Sequence, residues 1–186
     1  MAGKTVGVLA LQGDYERHVR ALESAGAHAV EVRTVAELDA TDGLVLPGGE
    51  STTMLKLLHR EGLFEPLKAF GQTKPIFGTC AGAILLATHV TSPEQESLGL
   101  MDIGVQRNAY GRQLDSRVVT LPSELGDLEA VFIRAPIIRS VGPEVKVLAT
   151  YNNDPVLAEQ GRHLVATFHP ELTADPRVHA YFLTKL

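Results

Sequence analysis

Short apolar runs alternate with amphipathic segments through the first half of this 186-residue chain. The alternation predicts parallel strands joined by helices, because neighbouring parallel strands need a crossover connection that is usually helical. We expect an open, mostly parallel sheet flanked by helices in a three-layer α/β fold. The predicted strands span residues 6–11, 28–32, 43–47 and 75–78. The predicted helices span 15–25, with Asp14 as its N-cap, 35–38, a segment capped by Ser51, and 81–87.

The second half of the chain has strand-like runs at closer spacing and fewer long helices, so some strand pairs there should be antiparallel. With 45% hydrophobic residues the chain can build a real core, and one domain over residues 1–186 is expected. Asn152-Asn153-Asp154 is a turn signal, and a last helix is expected over 175–184. The predicted strands are 106–109, 117–121, 131–134, 145–150, 155–159 and 163–168.

A glycine-framed cysteine follows the fourth predicted strand. Cys80, the only cysteine, is at the centre of Gly78-Thr79-Cys80-Ala81-Gly82, directly before an apolar helical run. This is the thiol counterpart of the nucleophile elbow of serine hydrolases. The glycines permit a sharp turn, and a helix N-terminus behind the sulfur favours the thiolate. The motif predicts a nucleophile, and its alternative is a small core side chain.

A candidate base and a carboxylate follow the last predicted strand, in His169-Pro170-Glu171. Side chains two residues apart on an extended chain point the same way, about 6 to 7 Å apart. We therefore expect Glu171 to reach the His169 imidazole and fix its tautomer, while His169 exchanges protons with Cys80 and the leaving group. Alone, the segment is compatible with an ordinary turn. Together with the elbow, it predicts a Cys-His-Glu triad.

A nucleophile that attacks a carbonyl also needs two hydrogen-bond donors for the oxyanion. The candidates are the N–H of Ala81, next to the nucleophile, and an N–H of the loop Pro47-Gly48-Gly49-Glu50, with Gly49 as the first choice. Gln12 follows the first predicted strand, and we expect it to abut this oxyanion loop at the same edge of the sheet. Its alternative role is that of a capping or turn residue.

Charge and composition exclude several classes of protein. The formal net charge is −5 and charged residues of both signs are mixed along the sequence, so no basic face for nucleic acid or membrane is expected. The single cysteine excludes an internal disulfide framework and favours a reducing compartment, so a cytoplasmic location is expected. No metal is expected, because the remaining histidines lack metal-binding spacing and are interpreted as surface or core residues: His18, His28, His59, His89, His163 and His179.

Taken together, the elbow, the Gly48-Gly49 loop and the His-Pro-Glu segment resemble the triad-type (class I) glutamine amidotransferases, which have a flavodoxin-like fold. Further stretches make the chain similar to the glutaminase subunits of two-component pyridoxal 5'-phosphate synthases, and the resemblance covers residues 6–177. Those stretches are Leu9-Ala10-Leu11-Gln12-Gly13-Asp14, Arg107-Asn108-Ala109-Tyr110-Gly111-Arg112-Gln113 and Phe132-Ile133-Arg134-Ala135-Pro136.

The resemblance implies hydrolysis of L-glutamine to L-glutamate and ammonia through a thioester on Cys80, without a cofactor. It also implies a synthase subunit as partner in a hetero-oligomeric complex, with the Gln12 region facing that partner. Independently, a free amino acid needs a cation for its α-carboxylate, and Arg107 offers a bidentate contact, with Arg134 as second choice. In the family the glutamine pocket is lined by residues that match Gly48, Gly49, Glu50, Arg107, Ile133 and Arg134.

Two other functions remain open at this point. An amidotransferase could deliver ammonia to another acceptor, as in histidine or purine biosynthesis, although the Gln12 and 107–113 regions argue against this. A thiol sensor or chaperone could use an elbow cysteine that is oxidised rather than acylated. Such a protein does not need His-Pro-Glu after the last strand, so Glu171 and His169 favour the enzyme.

Overall fold

The computed structural model describes residues 3–109 and 116–186. Its helices are α1 (Tyr15–Ser24), α2 (Val35–Asp39), α3 (Ser51–Arg60), α4 (Phe64–Gly71), α5 (Ala81–Leu86) and α6 (Arg177–Leu183), with a 3-10 helix at Pro170–Leu172. Its strands are β1 (Thr5–Leu9), β2 (His28–Val32), β3 (Gly43–Leu46), β4 (Ile76–Thr79), β5 (Ala87–Thr91), β6 (Met101–Gln106), β7 (Ser116–Leu121), β8 (Leu128–Ile133), β9 (Ile137–Val141), β10 (Lys146–Tyr151), β11 (Asp154–Gln160) and β12 (His163–Ala166).

The main sheet has seven strands in the order β10-β11-β12-β4-β3-β1-β2. The five strands from β12 to β2 are mutually parallel, and β10 and β11 extend the sheet as an antiparallel edge. The sheet is thus mostly parallel, as the alternation in the first half predicted. Since β12, β4, β3 and β1 are adjacent and parallel, the loops that follow them meet at one edge of the sheet.

Two apolar cores fill the two faces of this sheet. Neighbouring strand residues point to opposite faces, so Val45 packs in one core while Leu44 and Leu46 pack in the other. The first core takes apolar side chains from α2 to α5, and the second takes them from α1, α6 and the β7–β8 hairpin. The three-layer architecture follows from strands that are apolar on both sides.

The second half departs from the sequence expectations at several elements. The predicted strand over 106–109 is wrong, because β6 ends at Gln106 and residues 107–109 form a turn. The alternation that builds β6 begins earlier, with Met101, Ile103 and Val105 all buried. Helix α4 and strands β5, β6 and β9 were not predicted; β5, β6 and β9 form a separate three-stranded sheet. The turn at Asn152 and Asn153 is confirmed, since both have positive φ between β10 and β11.

The expected caps of two helices also differ. The side chain of Asp14 makes no capping hydrogen bond to α1. Ser51 is the first residue of α3 rather than its cap, and the Glu50 carboxylate accepts from the N–H groups of Thr52 at 3.1 Å and Thr53 at 2.7 Å. A carboxylate also complements the positive end of the helix dipole. Over the described part of the chain, every helix is too short or too polar to span a bilayer.

Candidate active site

The cysteine elbow forms where β4 passes into α5. Cys80 has φ 52° and ψ −106°, a positive φ that is rare outside glycine, and its N–H donates to the Ala166 carbonyl oxygen at 2.9 Å. A Cβ at Gly82 would overlap the Leu46 carbonyl oxygen, so α5 packs this closely on β3 only because residue 82 has no side chain. The turn places Cys80 at the carboxyl edge of the sheet, 7% exposed.

His169 and Glu171 make the expected contact through a different backbone. β12 ends at Ala166, and Glu171 belongs to the 3-10 helix rather than to an extended strand. The tight turn brings the carboxylate back, with Glu171 Oε1 2.6 Å from His169 Nδ1. The expectation of an extended path was therefore wrong, because Pro170, with its fixed φ, begins a helical turn at once.

His169 is positively charged at neutral pH in this arrangement. Burial opposes the imidazolium, but hydrogen bonds and charge interactions with Cys80 and Glu171 outweigh it and raise the pKa of His169 to about 10. The side chain of Glu171 is fully buried and that of His169 is 10% exposed, so solvent screens the pair little. An imidazolium beside the cysteine is the arrangement that sustains a nucleophilic thiolate.

The Gly48-Gly49 loop lies directly against Cys80 and His169. A Cβ at Gly48 would be 2.7 Å from His169 Cε1 and 3.4 Å from Cys80 Cβ. Gly49 has φ 138°, and a Cβ there would be 3.0 Å from the side-chain amide of Gln12. Both positions thus require glycine, and Gln12 does abut the loop. Within residues 3–109 and 116–186, the buried Gln12 Oε1 has no hydrogen-bond donor.

A cavity of about 530 Å³ opens in front of Cys80 and His169. Its walls come from the loops after β3, β4 and β12 and from the turns after β6 and β8. The sequence-predicted site residues therefore converge on one pocket, except for Gln12, which packs behind Gly49. Those that line the cavity are Gly48, Gly49, Glu50, Cys80, Ala81, Arg107, Ile133, Arg134, His169 and Glu171.

Charges of opposite sign stand on one side of this cavity. Arg107 Nη2 donates to Thr52 Oγ1 at 2.6 Å and lies 3.8 Å from Glu50 Oε1. Burial of Glu50 disfavours its charged form, but hydrogen bonds from Thr53 and Thr52 outweigh this and lower the pKa of Glu50. A fixed cation and a fixed carboxylate together suit the α-carboxylate and α-ammonium groups of a free amino acid.

A model of the SNO glutamine amidotransferase family matches residues 8–186 of the chain. The chain belongs to this family. Its elbow, its His-Glu pair and its glycine loop are thus parts of an SNO glutamine amidotransferase. Membership confirms the resemblance to glutamine amidotransferases that the motifs predicted.

Relatives of this SNO family member are similar over nearly their whole length. The chain is 61% identical to "Pyridoxal 5'-phosphate synthase subunit PdxT" of Solibacter usitatus, over 98% of this chain and 100% of that protein. It is 55% identical to the protein of the same name from Brevibacillus brevis, over 96% of this chain and 95% of that protein. A crystal structure of a glutamine amidotransferase shares 47% identity and superposes with a TM-score of 0.91, covering 97% of each chain.

The fold is found more widely than the sequence. The structure of PurLQS from Thermotoga maritima superposes with a TM-score of 0.70 at 17% identity, covering 97% of each chain. This likeness concerns the fold alone, and together with the nearer structure it confirms the predicted α/β class. Of the stretch over residues 107–113, which contributed to the predicted family resemblance, residues 110–113 lie outside the described residues.

The sequence analysis of this SNO amidotransferase missed three polar residues beside Glu171. Thr79, His18 and His179 are buried and lie within one chain of contacts to Glu171. The only signal was the position of His18 on the same face of α1 as Leu22, which predicts burial and nothing more. A fourth, Gln95, accepts from Ser51 Oγ and Thr52 Oγ1 through its Oε1 at 3.3 and 3.2 Å, and so supports the residue that holds Arg107.

The other histidines fit the interpretation as core or surface residues. His163 is buried, with its ring nitrogens 3.1 Å from the Ile76 nitrogen and 2.9 Å from the Gly71 oxygen. His28, His59 and His89 are exposed. Among the described residues, no group of three or more His, Cys, Asp or Glu side chains is arranged to hold a metal ion.

Proposed function

We propose that the chain is a glutaminase that hydrolyses L-glutamine to L-glutamate and ammonia, and that it passes the ammonia to a synthase subunit that makes pyridoxal 5'-phosphate. The observation that carries the chemistry is the 2.6 Å contact of Glu171 Oε1 with His169 Nδ1 beside Cys80, at the floor of the cavity. The acceptor is supported by the near full-length similarity to pyridoxal 5'-phosphate synthase subunits.

In the proposed first step, the Cys80 thiolate attacks the side-chain amide carbon of glutamine. The charged His169, whose pKa is raised to about 10, gives its proton to the leaving nitrogen. The carbon–nitrogen bond breaks, ammonia leaves, and a γ-glutamyl thioester remains on Cys80. His169 is then neutral, while Glu171 holds its Nδ1–H and so keeps Nε2 free to act as a base.

The second step uses that neutral imidazole. His169 takes a proton from water, and the hydroxide that forms attacks the thioester carbon. The carbon–sulfur bond breaks, glutamate leaves, and Cys80 and His169 return to the thiolate–imidazolium pair. Every proton is accounted for by water and ammonia, so the cycle needs no cofactor.

The proposed oxyanion donors are the N–H groups of Ala81 and Gly49. Ala81 follows the nucleophile at the start of α5, and its peptide lines the cavity beside Cys80. Gly49 approaches from the loop after β3, and its φ of 138° sets the direction of the neighbouring peptides. Preorganised backbone donors of this kind contribute about 3 to 4 kcal/mol each to transition-state stabilisation. We assign Gln12 to supporting Gly49 from behind and to the side that faces the synthase.

For substrate binding, we assign Arg107 to the α-carboxylate of glutamine and Glu50 to its α-ammonium group. The two groups stand 3.8 Å apart on one wall, so a zwitterion can bridge them. Ile133 and Arg134 line the same cavity, and Arg134 has the unusual φ of 42°. Gly48 leaves room for the imidazole of His169.

The test is glutamine hydrolysis with and without an added synthase subunit, followed by a glutamine-dependent assay for pyridoxal 5'-phosphate. We expect the two subunits to copurify and glutamate production to rise clearly when the synthase is present. Cys80→Ala should lose hydrolysis while still copurifying, because the smaller side chain fits the preformed pocket. Full hydrolysis by this variant would refute the mechanism, and equal rates with and without synthase would refute the coupling.

A glutamine-analogue alkylator separates the enzyme from a thiol sensor on the same scaffold. We expect a covalent adduct on Cys80, detected by mass spectrometry, and protection by L-glutamine but not by L-glutamate at equal concentration. An adduct that glutamine does not protect would favour the sensor. Synthesis that is coupled to a histidine or purine precursor would favour a different acceptor.

We also propose that residues 1–186 act as one amidotransferase domain located in the cytoplasm. The two apolar cores share one sheet, which supports cooperative unfolding as a unit. The mechanism needs a reduced thiol, which a reducing compartment maintains. A single transition in denaturant and cofractionation with a cytosolic marker are the expected results; two separated transitions would contradict the single domain.

A further inference from the structure

Two histidines form a buried chain behind the Glu171 carboxylate, and neither lines the substrate cavity. His18 of α1 and His179 of α6 are 0% exposed, with His18 Nδ1 2.9 Å from His179 Nε2. On its other side, His18 Nε2 is 3.2 Å from Thr79 Oγ1 and 3.5 Å from Glu171 Oε2. The carboxylate of Glu171 thus lies between two imidazoles, that of His169 at the cavity and that of His18 in the core.

Both core imidazoles are neutral at physiological pH. Burial lowers the pKa of His179 to about 4. Burial is the largest cause that holds the pKa of His18 well below its usual value, and repulsion from the charged His169 acts in the same direction. A neutral imidazole has one N–H donor and one acceptor nitrogen. The contact between His18 and His179 therefore allows only two proton arrangements.

In the first arrangement, His18 donates from Nδ1 to His179 Nε2. Neutral His179 must then carry its proton on Nδ1, a buried atom without a partner among the described residues, which leaves an unsatisfied donor. His18 Nε2 would also present a lone pair to Glu171 Oε2. That oxygen is buried and has no hydrogen-bond donor within the described ranges, so the carboxylate would face repulsion on this side.

In the second arrangement, His179 donates from Nε2 to His18 Nδ1, and its bare Nδ1 leaves no buried N–H unpaired. His18 then carries its proton on Nε2, directed at Thr79 Oγ1 and Glu171 Oε2. The distance of 3.5 Å to the carboxylate is long for a hydrogen bond, but the interaction of this N–H with a buried anion is favourable in surroundings that water does not screen. Only this arrangement leaves His179 without an unpaired N–H and directs a donor, rather than a lone pair, at Glu171 Oε2.

We propose that His18 is a positioning residue of the triad: in the tautomer imposed by His179, its Nε2–H holds Glu171 Oε2 so that Oε1 faces His169. This inference rests on the proposed function, because it concerns the same nucleophile and base. A carboxylate held at both oxygens cannot rotate away from His169 Nδ1 when the imidazole gives up and regains its proton. His18 touches neither substrate nor Cys80 and acts only through Glu171.

The first test is the tautomer itself, read by NMR of the full chain labelled with 15N-histidine. We expect both His18 and His179 to show a protonated Nε2 and a bare Nδ1, without titration between pH 6 and 8. Spectra of His18→Gln and His179→Gln assign the two rings. A proton on Nδ1 of His179, or titration of either ring in that range, overturns the proposal, and this readout does not depend on activity.

The second test is kinetic, with the synthase subunit present. His18→Leu removes the donor, and we expect kcat to fall about tenfold with KM changed less than twofold, the loss typical of one buried hydrogen bond. His18→Gln keeps a terminal N–H and should retain kcat within about threefold of the parent. Equal activity of the leucine variant and the parent, or equal impairment of the two variants, refutes positioning by an N–H.

A matched control separates catalysis from stability. His163→Leu removes another buried histidine, which bonds Ile76 and Gly71, and it should lower the melting temperature without lowering kcat in the folded protein. If His18→Leu does not fold, the NMR tautomers and the glutamine variant decide the matter. A parent protein that lacks glutaminase activity with the synthase refutes the proposed function, whereas an active parent matched by His18→Leu refutes only this inference.

Discussion

Glu171→Gln tests how much of the chemistry depends on the carboxylate behind His169. The rise of the His169 pKa from 6.5 to about 10 corresponds to roughly 5 kcal/mol in favour of the imidazolium, at about 1.4 kcal/mol per pKa unit. Cys80 and Glu171 share this stabilisation after it has overcome the cost of burial. An opposite charge this close typically shifts a pKa by about 1 to 3 units, so loss of the Glu171 charge should remove roughly 2 to 3 kcal/mol of this stabilisation.

The expected result is a fall in kcat of about thirty- to a hundredfold, with KM within about twofold, because the fully buried Glu171 side chain orients the base and does not hold the substrate. The assay is glutamate release at saturating glutamine with the synthase present. In parallel, NMR titration of His169 should show its midpoint lowered by more than one pH unit relative to the parent.

A matched control makes the same chemical change away from the cavity. Glu159 accepts from Tyr181 Oη at 2.7 Å and pairs with Lys185 at 2.6 Å, so Glu159→Gln also removes a hydrogen-bonded carboxylate. Its kcat should equal that of the parent. An unchanged kcat in Glu171→Gln, or an unchanged His169 midpoint, would refute the assignment of Glu171 to the triad.

Three further predictions concern binding, packing and pH. Arg107→Lys should raise KM for glutamine about tenfold or more with kcat little changed, because lysine cannot make the two parallel hydrogen bonds of a guanidinium group to a carboxylate. Steady-state kinetics should show no such rise for the surface variant Arg139→Lys. Phe182→Ala should lower the free energy of unfolding by about 3 to 5 kcal/mol in denaturant titration, since Phe182 is fully buried and its ring centre lies 5.6 Å from that of Phe77. As a control, Val118→Ala at a 64% exposed position should lower it by less than about 0.5 kcal/mol. His179 binds protons more weakly in the folded protein than in the unfolded one, so its contribution to the free energy of unfolding is full above pH 6.5 and is lost as pH falls from 6.5 toward 4. The free energy of unfolding of His179→Leu should therefore fall less steeply over that range than that of the parent, and parallel curves for the two proteins would contradict this.

The first half of the fold was predictable because its strands are apolar on both faces. Residues 28–32 were placed without error, and the remaining parallel strands were placed within two residues at each end. The second half mixes sheets of two and three strands, where single-faced alternation gives a weaker signal. Strand β9 was missed for this reason, and the strand predicted over 106–109 begins where β6 ends, so it covers the turn that carries Arg107. Helix α4 lies in the first half and was missed although its buried residues Phe64, Leu67 and Phe70 have helical spacing.

The site could be predicted where its residues follow adjacent parallel strands. Cys80, Gly49 and Gln12 come after β4, β3 and β1, and the order of these strands brings the three loops to one edge. The pair of His18 and His179 could not be found this way. The two residues are 161 positions apart in the sequence, on helices α1 and α6, which pack on the same face of the main sheet. Only the folded structure shows their contact.

The backbone hydrogen bond from Cys80 N–H to the Ala166 carbonyl separates the rigid from the adjustable parts of the site. It ties Cys80 to the strand that leads into His169, and the His169 N–H in turn donates to the Val131 carbonyl oxygen of β8 at 2.8 Å, so backbone pairing to strands holds both residues. Gly49, the proposed oxyanion donor, is exposed at the surface, and its N–H makes no backbone hydrogen bond within the described parts of the chain. Under the proposed mechanism, a partner that reshapes only the Gly49 peptide therefore turns hydrolysis on or off while the reactivity of Cys80 toward a small alkylating agent stays the same.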